Sequence, residues 1–326
     1  MVVNKVKLKE KFEVEYKKTL FSRQDDNGAI FYFSSEDFNG LNVKEVTINS
    51  SKGHALKGYF YYYDNFNTNA LILFEHGMGV GHRPYMKEIE MLAKHGYLVF
   101  SYDKTGCATS EGSGMGGFTQ ALSDSNDVVN YLKSIRELNN YKLYVVGHSM
   151  GGYSSLNVIN FHPDIVKVVA ISPMISVNHM HNQLFSGLKG FLKKYAYQIE
   201  KESNGSYIDV DVIKTLKEYK GQVLVLHSKD DKLAKYKYHF KKLLKEFMNA
   251  FNIHLVELNN KNHNPNYTIE ALKYKDKFFE TYKKYMKENK LNTNEEKENF
   301  KALFDWDKMT AQDDKVWEII FDFLDN

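Results

Sequence analysis

A serine occupies a segment whose residue types and spacing suit nucleophilic chemistry. Gly147-His148-Ser149-Met150-Gly151 forms a G-x-S-x-G pattern between an apolar run at 143–146 and a stretch compatible with a helix. A strand, a sharp turn and a helix in this order place the serine in a strained backbone conformation, and the flanking glycines let the two backbones pass without collision. We therefore expect the Ser149 hydroxyl to stand clear of the strand as a nucleophile.

A serine hydroxyl is too weakly acidic to attack a carbonyl carbon unaided, so it needs a base, and the base needs a carboxylate to orient it. Asp230 and Asp231 follow a predicted strand at 222–227, and His263 follows another at 252–258. His263 is the predicted base. Asp231 is preferred as the acid because Asp230 lies nearer the end of the strand, by analogy with hydrolase sequence patterns.

The negative charge that develops on an attacked carbonyl oxygen needs two backbone N–H donors. Met150, the residue after the serine, is expected to supply one of them. The loop Gly77-Met78-Gly79 follows the apolar run at 70–74, and its glycines allow a backbone N–H to turn towards the site. Met78 is the predicted second donor.

The elements that must position these groups alternate along the chain. Short apolar runs typical of buried strands occur at 70–74, 97–101, 143–146, 166–171 and 222–227, with helical spacing between them. Such alternation predicts an α/β fold with a mostly parallel central sheet and helices on both faces. In an open sheet of this kind, catalytic groups gather at the carboxyl ends of the strands, where the predicted serine, acid and histidine all lie.

Several segments lie outside this regular alternation. We expect residues 1–40 to form a peripheral N-terminal extension. Residues 41–326 are expected to form the main domain, which begins with a two-stranded hairpin. Residues 174–220 predict an inserted helical cap, in which 184–199 has the spacing of one amphipathic helix. Extended C-terminal helices are expected over about 268–326, interrupted by a polar stretch of low order at 289–298.

Three separated groups of residues resemble one known family. They are His76-Gly77-Met78-Gly79 with Tyr85; Asp103-Lys104-Thr105-Gly106 leading to Ser110-Glu111-Gly112; and Gly147-His148-Ser149-Met150-Gly151-Gly152. Together with the order serine, acid, histidine, they resemble the monoacylglycerol lipase and serine aminopeptidase-like branch of the α/β-hydrolases. The resemblance covers about 41–263 and implies a lipase-like carboxylic ester hydrolase without a cofactor, with Ser149, Asp231 and His263 as its triad. Lys104 departs from the family, which usually has arginine there.

Composition narrows the function classes. A net charge of +3, with Lys and Glu intermixed, argues against a nucleic-acid surface. The charged N-terminus has no apolar run for a signal peptide, and no stretch reaches transmembrane length. The single cysteine, Cys107, suits a reducing compartment. A cytoplasmic location is therefore predicted. His179 and His181 lack a third ligand, so we expect them to line a pocket rather than hold a metal.

The resemblance leaves the substrate open. The expected partner is a small-molecule ester with an apolar acyl or aromatic group, because the cap is rich in aromatic residues. A peptidase, thioesterase or acyltransferase could use the same triad, and a slow-turnover ligand-binding sensor could keep the fold. An epoxide hydrolase or dehalogenase is disfavoured because each uses a carboxylate where Ser149 stands. No feature of the sequence fixes the oligomeric state.

Overall fold

A computed structural model describes residues 2–64, 66 and 69–326. An eight-stranded sheet organises the chain. Its strands are β1 Asn42–Asn49, β2 Ala55–Tyr62, β3 Ala70–Glu75, β4 Leu98–Tyr102, β5 Lys142–His148, β6 Lys167–Ile171, β7 Gln222–Ser228 and β8 Ile253–Leu258. They lie in the order β1-β2-β4-β3-β5-β6-β7-β8. β2 runs antiparallel to both of its neighbours, and the pairs from β4 to β8 are parallel. The predicted mostly parallel sheet is confirmed.

Helices cover both faces of the sheet and extend to both ends of the chain. They are α1 Val2–Leu20, α2 Met86–Lys94, α3 Gln120–Ser134, α4 Met150–Val158, α5 Val177–Leu184, α6 Lys193–Asn204, α7 Val212–Glu218, α8 Phe240–Phe247, α9 Ile269–Lys287, α10 Asn294–Lys301, α11 Trp306–Met309 and α12 Asp314–Asp325. In the described part of the chain, no helix is both long and apolar enough to cross a lipid bilayer.

The central strands are buried on both faces, which explains their continuous apolar runs. In β3, Leu71 and Leu73 belong to the hydrophobic core on one face of the sheet, and Ile72 and Phe74 belong to the core on the other. A third, smaller core lies among the C-terminal helices and includes Phe278 and residues from the N-terminal segment. The C-terminal helices are thus a packed layer with a core of their own.

Two local predictions were wrong. The amphipathic pattern at 184–199 is not one helix: α5 ends at Leu184, a 3₁₀ helix spans Gly187–Leu192, and α6 begins at Lys193. Gly187 has a φ of +62°, which breaks the helix. The stretch at 289–298 is not of low order either, because Thr293 and Glu296 form a capping box that starts α10.

Candidate active site

Ser149 lies at the corner between β5 and α4. Its backbone has φ 57° and ψ −115°, a conformation that residues with a Cβ rarely adopt. The neighbouring glycines are required by close approach: a Cβ on Gly147 would lie 2.4 Å from the Gly151 carbonyl oxygen, and one on Gly151 would lie 1.9 Å from the Glu75 carbonyl oxygen. The Ser149 N–H donates to the Ile171 carbonyl oxygen at 2.9 Å. The strain is therefore held by packing and by a hydrogen bond to β6.

A chain of hydrogen bonds joins the three residues singled out from the sequence. Ser149 Oγ lies 2.8 Å from His263 Nε2, and His263 Nδ1 lies 2.8 Å from Asp231 Oδ2. Because an ionised carboxylate only accepts, Nδ1 donates to Asp231 and Nε2 is left to accept from the serine hydroxyl. Asp231 and His263 are 4% and 8% exposed, so water competes little for these bonds.

The two neighbouring aspartates make different contacts. The second carboxylate oxygen of Asp231 accepts from the backbone N–H groups of Leu233 and Ala234 at 2.8 and 2.9 Å. Asp230 instead accepts from the Ser228 hydroxyl and from the backbone N–H of Asn262. The structure therefore brings Asp231 to the histidine, whereas Asp230 braces the loops that follow β7 and β8.

The loop after β3 passes directly beside Ser149. A Cβ on Gly77 would lie 3.3 Å from the Ser149 Cβ and 2.5 Å from the Tyr85 hydroxyl oxygen, so only glycine fits there. The Gly77 N–H donates to that hydroxyl at 3.1 Å. Met78 and Met150, the predicted backbone donors, both line the same cavity as Ser149.

His76 fixes the orientation of this loop. Its Nε2 accepts from the Lys104 backbone N–H at 3.1 Å, so Nδ1 carries the proton and donates to the Gly77 carbonyl at 2.6 Å. That carbonyl and the Met78 N–H belong to one planar trans peptide, so the N–H points away from His76. Burial lowers the pKa of His76 well below its ordinary value, which keeps the ring neutral and able to make both bonds.

The Lys104 side chain holds the start of the same loop in place. Its ammonium forms an ion pair with Glu75 at 2.7 Å and donates to the His76 carbonyl oxygen at 2.9 Å. Both side chains are almost fully buried. The lysine thus ties β3 to the loop after β4 at the position where arginine was expected.

Sequence reasoning missed a second hydrogen-bonded chain behind the serine. His148 Nε2 donates to the His263 backbone carbonyl at 2.7 Å, and His148 Nδ1 accepts from the Tyr85 hydroxyl at 3.0 Å. Burial is the main cause that lowers the pKa of His148 well below its ordinary value, so the neutral ring can donate at one nitrogen and accept at the other. Tyr85 and His148 therefore link the loop at Gly77 to the backbone that carries His263. His148 occupies the variable second position of the G-x-S-x-G pattern, which gave no signal of these contacts.

A cavity of about 870 Å³ opens over Ser149. Its apolar walls include residues from three separate parts of the chain: Phe12, Tyr16 and Leu20 of α1; Met180, Leu184 and Phe185 of the segment 174–220, the predicted cap; and Phe279 of α9. The described part of the N-terminal extension, residues 2–40, is therefore not merely peripheral, because α1 forms one wall of the site.

Hydrogen bonds to the cap hold α1 in place. The Tyr16 hydroxyl lies 2.8 Å from His181 Nε2 and donates to Glu200 at 3.0 Å. Glu200 also accepts from the Phe118 and Thr119 backbone N–H groups and from the Thr119 hydroxyl. His181 therefore contacts α1, and Met180 beside it lines the cavity.

Comparison with known proteins relates part of the chain to one family. A serine aminopeptidase (S33) family model of the α/β-hydrolases matches residues 67–218. The chain has the α/β-hydrolase fold and resembles this family over the matched residues. A curated protein of Mycobacterium phage D29, named as a non-heme haloperoxidase, is 29% identical over 120 residues, which are 37% of this chain and 41% of the phage protein. The chain thus matches less than half of that relative's length.

Solved structures of esterases share this fold. An esterase of Pyrococcus furiosus has a TM-score of 0.56 at 18% identity, over 82% of this chain and 98% of that one. An acetyl xylan esterase of a Paenibacillus species has a TM-score of 0.55 at 13% identity, over 78% and 88%. Est1E of Butyrivibrio proteoclasticus, solved with ferulic acid, has a TM-score of 0.54 at 18% identity, over 67% and 90%. At these identities the similarity establishes the fold.

Proposed function

We propose that this α/β-hydrolase cleaves carboxylic esters of small molecules, with Ser149 as nucleophile, His263 as general base and acid, and Asp231 as the orienting carboxylate. The observation that carries the proposal is the hydrogen-bonded chain from Ser149 through His263 to Asp231. It ends at a strained serine beside a loop with constrained backbone N–H groups. This combination supports acyl transfer through a covalent acyl-enzyme.

In the first half of the reaction, His263 Nε2 takes the Ser149 proton as Oγ attacks the ester carbonyl carbon. The carbonyl oxygen becomes an oxyanion and receives hydrogen bonds from the backbone N–H groups of Met78 and Met150. The bond to the alcohol oxygen then breaks, and His263 delivers the proton to that oxygen. The alcohol leaves and the acyl group remains on Ser149.

In the second half, water takes the place of the alcohol. His263 removes a proton from the water, which attacks the acyl carbon, and the bond to Ser149 Oγ breaks as the serine regains its proton. Asp231 stays ionised throughout and stabilises the imidazolium in both halves. The products are a carboxylic acid and an alcohol.

The cavity supports an ester with an apolar acyl chain. Phe12, Leu20, Met174 and Phe185 line it. Burial of each methylene of an acyl chain against such walls contributes about 0.8 kcal/mol. The family resemblance to serine aminopeptidases leaves amides as the competing substrate class.

A panel of p-nitrophenyl esters with acyl chains of two to twelve carbons tests the proposal, with p-nitroanilides of the same acids beside it. We expect the wild type to hydrolyse the esters at least ten times faster than the anilides and Ser149→Ala to hydrolyse neither. Turnover of anilides alone would support a peptidase instead. Equal ester turnover by wild type and Ser149→Ala would refute the proposed nucleophile.

A further inference from the structure

A second cavity of about 350 Å³ adjoins the one above Ser149. The residues that line both cavities are Met78, Gly79, Tyr85, Asn264, Lys275 and Phe279. Met78 belongs to the loop that passes Ser149, and Asn264 follows His263 in the chain. The two cavities therefore meet beside the proposed reaction centre, and a substrate held at Ser149 can extend into the second one.

Aromatic side chains from both ends of the chain form the walls of the second cavity. Phe31 comes from the N-terminal segment, and Phe278 and Trp306 come from α9 and α11. The Trp306 ring centroid lies 5.9 Å from that of Phe31 and 5.4 Å from that of Phe278, the latter in an edge-to-face arrangement. Because these rings pack against one another, they form an apolar slot with fixed walls, which suits a flat aromatic ligand.

Lys275 is the only charged residue among those described as lining the second cavity. Its ammonium nitrogen lies 4.8 Å from the centre of the Tyr267 ring. Among residues 2–64, 66 and 69–326, no carboxylate oxygen lies within 4.0 Å of that nitrogen. The cation therefore has an aromatic face beside it and no direct anionic partner.

Glu88 is the main acid that acts on Lys275 from a distance. Burial lowers the pKa of Lys275, and the charge of Glu88 opposes this shift. The Glu88 carboxyl itself accepts from the Asn266 side-chain amide at 3.0 Å, and burial raises its pKa. Since Glu88 is engaged elsewhere, an incoming anion would give the partly buried ammonium its first close partner.

The number of charges indicates which anion fits. A phosphate monoester carries nearly two negative charges and three acceptor oxygens, and it is usually met by several cations or backbone donors. The second cavity offers one ammonium among aromatic walls. One positive charge beside a flat slot fits a single carboxylate on an aromatic ring.

We propose that the second cavity is a subsite for an arm of the substrate that carries an aromatic carboxylate, and that Lys275 determines this specificity. The proposal rests on ester hydrolysis at Ser149 and names the class of ester: one arm apolar, the other an aromatic acid with a free carboxylate. The apolar arm occupies the larger cavity, and the carboxylate meets Lys275 where the two cavities join.

Equilibrium binding of a non-hydrolysable pair tests the subsite separately from catalysis. 4-Butoxybenzoate and the neutral 4-butoxybenzamide differ only in charge, and their ether link resists hydrolysis. We expect calorimetry on the wild type to show about tenfold tighter binding of the benzoate. Lys275→Met should reduce the ratio of the two dissociation constants to about one, whereas Lys275→Arg should keep it. Lys273→Met removes an exposed lysine of the same helix and should also keep the ratio.

Three results would overturn the subsite. They are equal binding of the two ligands by the wild type, a ratio that survives in Lys275→Met, and tenfold tighter binding of 4-butoxyphenyl phosphate than of the benzoate. Circular dichroism establishes whether each variant is folded, and the wild-type comparison needs no variant at all. Failure of ester hydrolysis with the benzoate preference intact would refute the proposed catalysis and leave the subsite standing.

Discussion

The carboxyl edge of the sheet and the helices that cover it are built in opposite ways. At the edge, Ser149, Asp231 and His263 follow β5, β7 and β8, and hydrogen bonds join their side chains. Over it, α1, the segment 174–220 and α9 contribute mostly apolar side chains to the walls of the cavity, such as Phe12, Phe185 and Phe279. The difference teaches that the sheet holds the groups proposed to react, whereas the walls of the cavity come from helices at both ends and in the middle of the chain.

Substitution of Asp231 should have the largest effect and tests the role of the sheet edge most directly. Asp231→Asn should lower kcat for p-nitrophenyl butyrate by about 10⁴, because an amide in that place favours the wrong histidine tautomer. Asp230→Asn changes a carboxylate that accepts from Ser228 and Asn262, whereas His263 donates to Asp231, so it should lower kcat by less than about tenfold. Steady-state rates of the two purified variants give the ratio. A larger loss in Asp230→Asn would mean that the acid is the other aspartate.

Much of the sheet edge could be predicted from sequence because its signals are local. Runs such as 70–74 and 223–226 are apolar throughout since both faces of those strands are buried. The polar residues that follow them must then lie at one edge. The hydrogen bonds among Ser149, His263 and Asp231 needed the three-dimensional structure, yet their positions in the chain already indicated that they would meet.

The covering helices could not be predicted in the same way, because their contacts are distant in sequence. Tyr16 meets His181 and Glu200, which lie 165 and 184 residues away, and nothing near Tyr16 signals either contact. In the segment 174–220, apolar residues at helical spacing over 184–199 predicted one helix. The left-handed conformation of Gly187 divides this stretch into separate helices, and the apolar spacing does not report that. The proposed role of Lys275 depends on the aromatic rings that surround it, and the sequence does not show which rings these are.

A substitution in the helices that cover the site should change stability and substrate preference but have little effect on kcat. Tyr16→Phe removes the hydroxyl that contacts His181 and Glu200, which should lower the free energy of unfolding by about 1 to 3 kcal/mol. We expect KM for p-nitrophenyl octanoate to rise more than kcat falls, because the wall at α1 loosens. Urea unfolding and steady-state kinetics measure both effects. A loss of kcat of a thousandfold would place α1 within the catalytic machinery instead.

Acid should destabilise the folded protein in part through His181, which contacts α1. Burial lowers the pKa of His181 to about 4, whereas an unfolded histidine has a pKa of about 6.5. Between these values the unfolded chain binds a proton that the folded protein does not, so stability present above pH 6.5 is lost as the pH falls. From pH 7 to pH 5 this loss amounts to about 2 kcal/mol.

Urea unfolding at the two pH values, with His181→Gln as the comparison, isolates that contribution. The variant should lose less stability than the wild type over the same interval, by about 1 to 2 kcal/mol. Identical pH dependence in the two proteins would show that His181 does not carry it.

The most direct test of the central claim is the site of covalent labelling. A fluorophosphonate reacts with a serine only where a neighbouring base activates the hydroxyl and donors hold the oxyanion. Mass spectrometry of the wild type should show one adduct per chain, on the peptide that contains Ser149, and Ser149→Ala should show none. An adduct that persists in Ser149→Ala, or one that maps to another residue of the wild type, would contradict the account.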